Sequence, residues 1–221
     1  MRIRIVYSKA DSLKYTGNLD LQKIWERLLR RANLPLAYSQ GFHPQPRINQ
    51  GCPLPLGFIG ENEMVDIWLD FEQLNVQELI EKIHGSAPAG LTVHQVEVVP
   101  DSAPSLPTQI VAADYHAILL QAVDLDNLHK QVEELLTTEK FLRERRGKKY
   151  DLRPLIEALT VEVNASQQNP FLFMRLAARS GATGRPDEVL SALGMDPFAA
   201  RFVRTKLITT LPTTLEPIQT I

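Results

Sequence analysis

Met1, Ile3, Ile5 and Tyr7 alternate with Arg2, Arg4 and Val6, which is the period of a strand with one buried face. From Leu21 the apolar residues Ile24, Trp25, Leu28, Leu29 and Ala32 follow steps of three and four. That spacing predicts an amphipathic helix, with Asn18 or Asp20 available to cap it and Pro35 to stop it. Prolines 35, 44, 46, 53 and 55 and glycines 41, 51, 57 and 60 come next, predicting rigid loop with a short strand near Arg47 to Cys52. Val65, Ile67, Leu69 and Phe71 then alternate with Met64, Asp66, Trp68 and Asp70, a second half-buried strand. A helix over about Val76 to Ile83 and a strand carrying Leu91, Val93, Val96 and Val98 complete the set. Strand, helix, strand, strand, helix, strand is the ferredoxin-like order of an α+β domain.

The proline and serine segment Pro100 to Pro107 has almost no apolar content and reads as a domain boundary. Residues 1–100 form the first expected domain, 101–107 a linker, 108–209 a second α+β domain and 210–221 an extended tail. In the second, Gln109 to Gln121 predicts a strand, and Asp124 caps a helix to about Leu136. Leu159, Val161 and Val163 with Phe171 to Ala177 read as a hairpin. Pro186 starts a helix that Gly194 ends, and Phe202 to Ile208 makes a closing strand. Lys140 to Arg145 fits either an extra strand or the end of the preceding helix. The element order repeats, so two tandem ferredoxin-like domains are expected.

The 221 residues are 44% apolar and 23% charged, a globular composition that disfavours disorder, collagen and coiled coil. A single cysteine, Cys52, excludes an internal disulfide framework and any iron–sulfur cluster held by this chain alone. MRIRIVYSKA lacks the apolar core of a signal peptide, and no apolar run reaches the length of a membrane span. A cytoplasmic protein without membrane attachment is expected.

The net charge of −2 hides an uneven distribution: residues 1–50 hold nine Lys and Arg against three Asp and Glu, residues 51–100 one against eight. These blocks make either a basic binding surface or complementary faces meeting inside one domain. Lys23, Arg27, Arg30 and Arg31 share the helix face opposite Leu21, Ile24 and Leu28, a spacing that suits phosphates along a nucleic-acid strand or an ordinary solvated face. In Tyr38-Ser-Gln-Gly-Phe-His-Pro-Gln-Pro-Arg47, Gly41 permits positive φ while Pro44 and Pro46 stiffen the chain. Phe42, His43 and Arg47 are thereby directed either at a base and its phosphate or, for Phe42, into the core, with His43 bonded to backbone. Arg143, Arg145, Arg146, Lys148 and Lys149 form a second basic cluster, an RNA contact or a solvated turn. Gly184 and Arg185 precede the Pro186 helix, where a phosphate site or a plain turn is expected.

Tyr15, Asn18-Leu-Asp-Leu21, Trp25-Glu-Arg27, Arg30-Arg-Ala32, Tyr38, Gly41-Phe-His-Pro-Gln-Pro-Arg-Ile48 and Leu54-Pro-Leu-Gly57 resemble the radical SAM-linked protein family. Lys148-Lys-Tyr-Asp-Leu-Arg-Pro154, Gly184-Arg-Pro186 and Arg204-Thr-Lys-Leu207 resemble its later motifs. Where many members carry Ser-His, this chain has Gly17-Asn18. The resemblance implies a radical SAM enzyme as partner. That partner would own the cluster, since three cysteines are needed and one is present. This chain then holds no cofactor and acts as a noncatalytic adaptor presenting a macromolecule, RNA first. Two alternatives stay open: a metal-free ribonuclease using His43, and a protein-interaction subunit that binds no RNA. His84, His94, His116 and His129 are scattered, so no metal site or second proton-transfer group is expected. Binding on the open sheet face is disfavoured, because Asp66 and Asp70 would repel phosphate and pair with Arg2 and Arg4.

Overall fold

The computed structural model describes residues 1–70, 75–145, 147–163 and 170–210. Phe71, Arg146 and the tail beyond 210 lie outside them. The chain is a mixed α+β protein of two compact units, the first covering Met1–Ile110 and the second Val111–Ile208. The described residues hold five α-helices, and each unit is built on a mostly antiparallel sheet.

The first unit runs β1 (Arg2–Lys9), α1 (Asn18–Arg31), β2 (Ile48–Gln50), β3 (Ile59–Trp68), α2 (Val76–Ser86), β4 (Leu91–Val99) and α3 (Leu106–Gln109). Its strands lie in the order β4-β1-β3-β2, every pair antiparallel. Ile3, Ile5, Tyr7, Val65 and Ile67 pack with Trp25, Leu28 and Leu29 of α1 and Leu79 and Ile83 of α2 in one core. Tyr7 meets Trp25 edge-on at 4.9 Å, a favoured aromatic geometry. Asn75 caps α2, its side chain accepting from the Glu78 N–H.

Three local expectations need correction. α1 is capped by neither Asn18 nor Asp20: Gly17 is the capping residue and makes no side-chain bond. The helix ends before Pro35, because Asn33 takes a left-handed φ of 51° and the Asn33 and Leu34 amides donate to Arg30 and Leu29, the bonding pattern of a left-handed helix stop. β1 is buried on both faces, not one. Arg2 and Arg4 lie inside with Asp66, which accepts 2.9 and 2.6 Å bonds from Arg2 and 2.9 and 3.1 Å bonds from Arg4.

The segment expected as a linker is built into the first unit. Arg2 donates to the Ala103 and Pro104 carbonyls, Gln109 to Pro104, and Arg4 to Gln109. A chain held by buried guanidinium groups is not a free connection.

The second unit runs β5 (Ile110–Leu119), α4 (Leu125–Thr137), β6 (Leu142–Arg145), β7 (Lys148–Asp151), β8 (Ile156–Glu162), β9 (Phe171–Arg179), β10 (Ala182–Thr183), α5 (Pro186–Ala192) and β11 (Ala200–Thr209). β9 is central. It pairs with β5 on one side and with β8 and β10 on the other, and β11 follows β5. Asp124 caps α4 by accepting from the Asp126 and Asn127 amides. Lys140 to Arg145 resolves as strand β6, which forms a separate hairpin with β7.

Candidate nucleic-acid interface

Residues 37–47 fold back on themselves as a narrow hairpin. Arg47 N–H donates to Ala37 and Ser39 N–H to Gln45, at 2.9 and 2.8 Å. The Gln45 amide bonds to the Ser39 hydroxyl at 3.0 Å, and Tyr38 pairs with Pro46. The base is fixed to β3, since Ala37 donates to the Trp68 carbonyl and Trp68 to Arg47. Gly41 has φ 134°, a conformation that side-chain-bearing residues avoid. Pro44 and Pro46 restrict the returning arm, each through its own φ and through the residue before it. The turn therefore holds its tip residues out without a core beneath them.

Phe42 is 102% exposed. It does not plug the core. Exposed phenylalanine forgoes about 1.5–3 kcal/mol of burial, so nothing in folding selects it here. His43 is exposed and makes no hydrogen bond or ion pair among the described residues. Tyr38 is exposed on the same hairpin, and Arg47, also exposed, lays its guanidinium 4.5 Å from the Trp68 ring centre. That stacking fixes one plane of the guanidinium and leaves its N–H edges free to donate.

α1 presents Lys23, Arg27, Arg30 and Arg31, all exposed. Arg30 pairs with Glu26 at 2.7 Å, one turn away on the same helix. Among the described residues Lys23, Arg27 and Arg31 have no ion pair, and no carboxylate of the acidic second block reaches the ridge. Gln22 donates to the Ile48 carbonyl and Gln50 to that of Asn18, so α1 is tied to β2, the strand that continues from Arg47. Helix and hairpin are thus adjoining parts of one unit.

The sheet face behaves as its residues imply. Arg2, Arg4 and Asp66 are buried against one another, and Trp68 is covered by Arg2 at 5.2 Å and by Arg47. Among the described residues no aromatic platform for stacked bases is open there. Asp70, expected to share the pairing, is exposed, and Asp66 alone serves both arginines. Glu97 lies 3.8 Å from Arg4, and burial raises its carboxyl above the ordinary range against the opposing pull of Arg4.

The second basic cluster divides on the β6–β7 hairpin. Arg145 stands opposite Lys148, Glu144 opposite Lys149, and Arg143 opposite Tyr150. Directly paired residues share a face, so Arg143, Arg145 and Lys148 point one way and Lys149 the other. Arg143 is bound to Glu188 at 3.0 Å. Arg146 lies outside the described residues. The five-residue cluster is therefore not one patch.

Gly184 and Arg185 do not form a phosphate-binding helix start. α5 has seven residues, with Asp187 and Glu188 in its first turn, and those carboxylates repel an anion. Asp187 holds Arg185 through two bonds of 2.9 and 2.7 Å. Gly184 is buried, and a Cβ there would stand 3.0 Å from the Leu155 carbonyl and the Leu176 side chain. Close packing explains this glycine.

Among the described residues no three His, Cys, Asp or Glu side chains gather as metal ligands, and no helix is long and apolar enough to cross a membrane. The family model described as "Uncharacterized protein conserved in bacteria (DUF2344)" matches residues 2–186. The chain belongs to the DUF2344 family. The matched span includes α1, the 37–47 hairpin, the β6–β7 hairpin and Arg185, so both basic regions lie within the family's bounds. The description names no activity, substrate or partner. No curated protein matches the chain.

Proposed function

We propose that this DUF2344 protein is a noncatalytic adaptor that binds single-stranded RNA along α1 and the 37–47 hairpin. One observation carries the reading: a fully exposed phenylalanine on a proline-stiffened turn, in one unit with a stacked arginine and a helix face on which Lys23, Arg27 and Arg31 have no ion pair among the described residues. Aromatic side chains receive bases, and cations follow the phosphates. Preorganisation by Gly41, Pro44 and Pro46 lowers the ordering cost of binding. Both units are read as ferredoxin-like, because the first has strand order β4-β1-β3-β2 and the second β11-β5-β9 with β8 outermost. The partner is a radical SAM enzyme, a proposal that rests on the sequence resemblance. A single cysteine leaves any such cluster to that partner.

Fluorescence anisotropy of a labelled single-stranded RNA with the full chain tests the reading. Phe42→Ala weakens affinity, as does the triple variant Arg27→Ala, Arg30→Ala, Arg31→Ala. Wild-type affinity in both variants, or no RNA binding, overturns it in favour of a protein-interaction subunit. RNA cleavage that His43→Ala abolishes would instead establish a ribonuclease.

A further inference from the structure

A cleft of about 460 Å³ opens in the second unit beside the β6–β7 hairpin. Arg145, Lys148, Tyr150, Leu155 and, from β10, Ala182 and Thr183 are among the residues that line it. Arg145 and Lys148 face each other directly across the hairpin. Like charges in that position destabilise a strand pair, and neither has an ion pair among the described residues. The surrounding charges do have partners: Arg143 pairs with Glu188, Arg185 with Asp187, and Asp151, also lining the cleft, accepts from the Phe141 and Arg153 amides. Two adjacent cations are left directed at a partly apolar hollow. Gly147, with φ 74°, makes the tight turn that brings them together. Burial and the Glu188 carboxylate keep the Tyr150 phenol protonated to higher pH than usual.

We infer that this cleft is a binding site for a phosphate monoester on a small molecule of nucleotide size. A phosphate monoester carries about −1.5 to −2 charge at neutral pH, matching two cations, where a single carboxylate would leave one unmatched. Arginine grips such a group through paired N–H donors, and lysine supplies a point charge. The volume lies within the range of small-molecule sites. Leu155, Ala182 and Tyr150, which also line the cleft, suit the uncharged remainder of the ligand.

Isothermal titration of the full chain with adenosine 5′-monophosphate, adenosine and inorganic phosphate tests this. The monophosphate binds more tightly than inorganic phosphate, and adenosine does not bind. Arg145→Ala and Lys148→Ala each weaken monophosphate binding about tenfold or more, with unchanged far-ultraviolet circular dichroism. Lys149→Ala, on the opposite face, leaves affinity at the wild-type value. No binding at millimolar monophosphate overturns the inference, as does equal affinity for adenosine or for inorganic phosphate, or an equal loss in Lys149→Ala. The site goes beyond the RNA reading and stands apart from it: the triple α1 variant retains monophosphate binding whether or not it binds RNA.

Discussion

Asp66→Ala is expected to destabilise the first unit severely. Asp66 is fully buried and accepts four hydrogen bonds from Arg2 and Arg4, themselves 2% and 4% exposed. Removing the carboxylate leaves Arg2 inside with no other carboxylate partner among the described residues and Arg4 with Glu97 alone, at 3.8 Å. Breaking a buried ion pair from one side costs about 3–5 kcal/mol, a large share of the roughly 5–15 kcal/mol that stabilises a domain. Urea unfolding followed by tryptophan fluorescence reads this, because Trp25 lies in the core and Trp68 lies against Arg2. The midpoint falls sharply, and Asp66→Asn, which keeps an acceptor oxygen, falls less. A loss below about 1 kcal/mol in Asp66→Ala, the scale of an exposed pair, would refute the argument. It would also reopen the sheet face as a binding surface.

Phe42→Ala leaves the unfolding midpoint within about 0.5 kcal/mol of wild type, as for an ordinary surface change, while RNA affinity falls by the ~1–3 kcal/mol of one stacked base. Calorimetry and anisotropy on one preparation check both halves. Glu97→Gln alters pH dependence with a defined sign. A carboxyl whose folded pKa is raised contributes stability that is present below its unfolded pKa and is lost as pH rises through the folded one. The cause here is first burial, opposed by Arg4. The variant therefore loses less stability than wild type as pH climbs through the carboxylate range, measured by urea midpoints; parallel curves would contradict it. Asp124→Ala removes the acceptor for the Asp126 and Asn127 amides and costs about 1 kcal/mol in thermal unfolding.

Much of the fold is legible because local periods dominate. Leu21, Trp25, Leu28 and Leu29 are the buried face of α1, and Asp124 caps α4 as its position implies. Long-range pairing hides the rest. The pairing of Arg2 and Arg4 with Asp66, 64 and 62 residues away, follows from the strand faces, but their burial does not, because the alternation along β1 marks them as an outward face. The Pro100 to Pro107 segment reads as a linker because its anchor, Arg2, lies about a hundred residues earlier. Val98 reads as core, yet stays 55% exposed on edge strand β4. β6 and β7 carry polar residues on both faces, so no period marks the hairpin, and only its register separates Lys149 from Arg145 and Lys148. The hairpin at Phe42 is the opposite case. Its glycine and prolines announce a fixed turn, but the Ser39 and Gln45 bonds that close it and the exposure of Phe42 carry no sequence signal.

The salt dependence of RNA affinity tests the central claim most directly. Plotted as log affinity against log salt, the wild-type slope is negative, and the triple α1 variant has a slope smaller in magnitude by about 2, the contribution of three phosphate contacts on a single strand. Identical slopes for the two proteins would mean that no phosphate lies along α1.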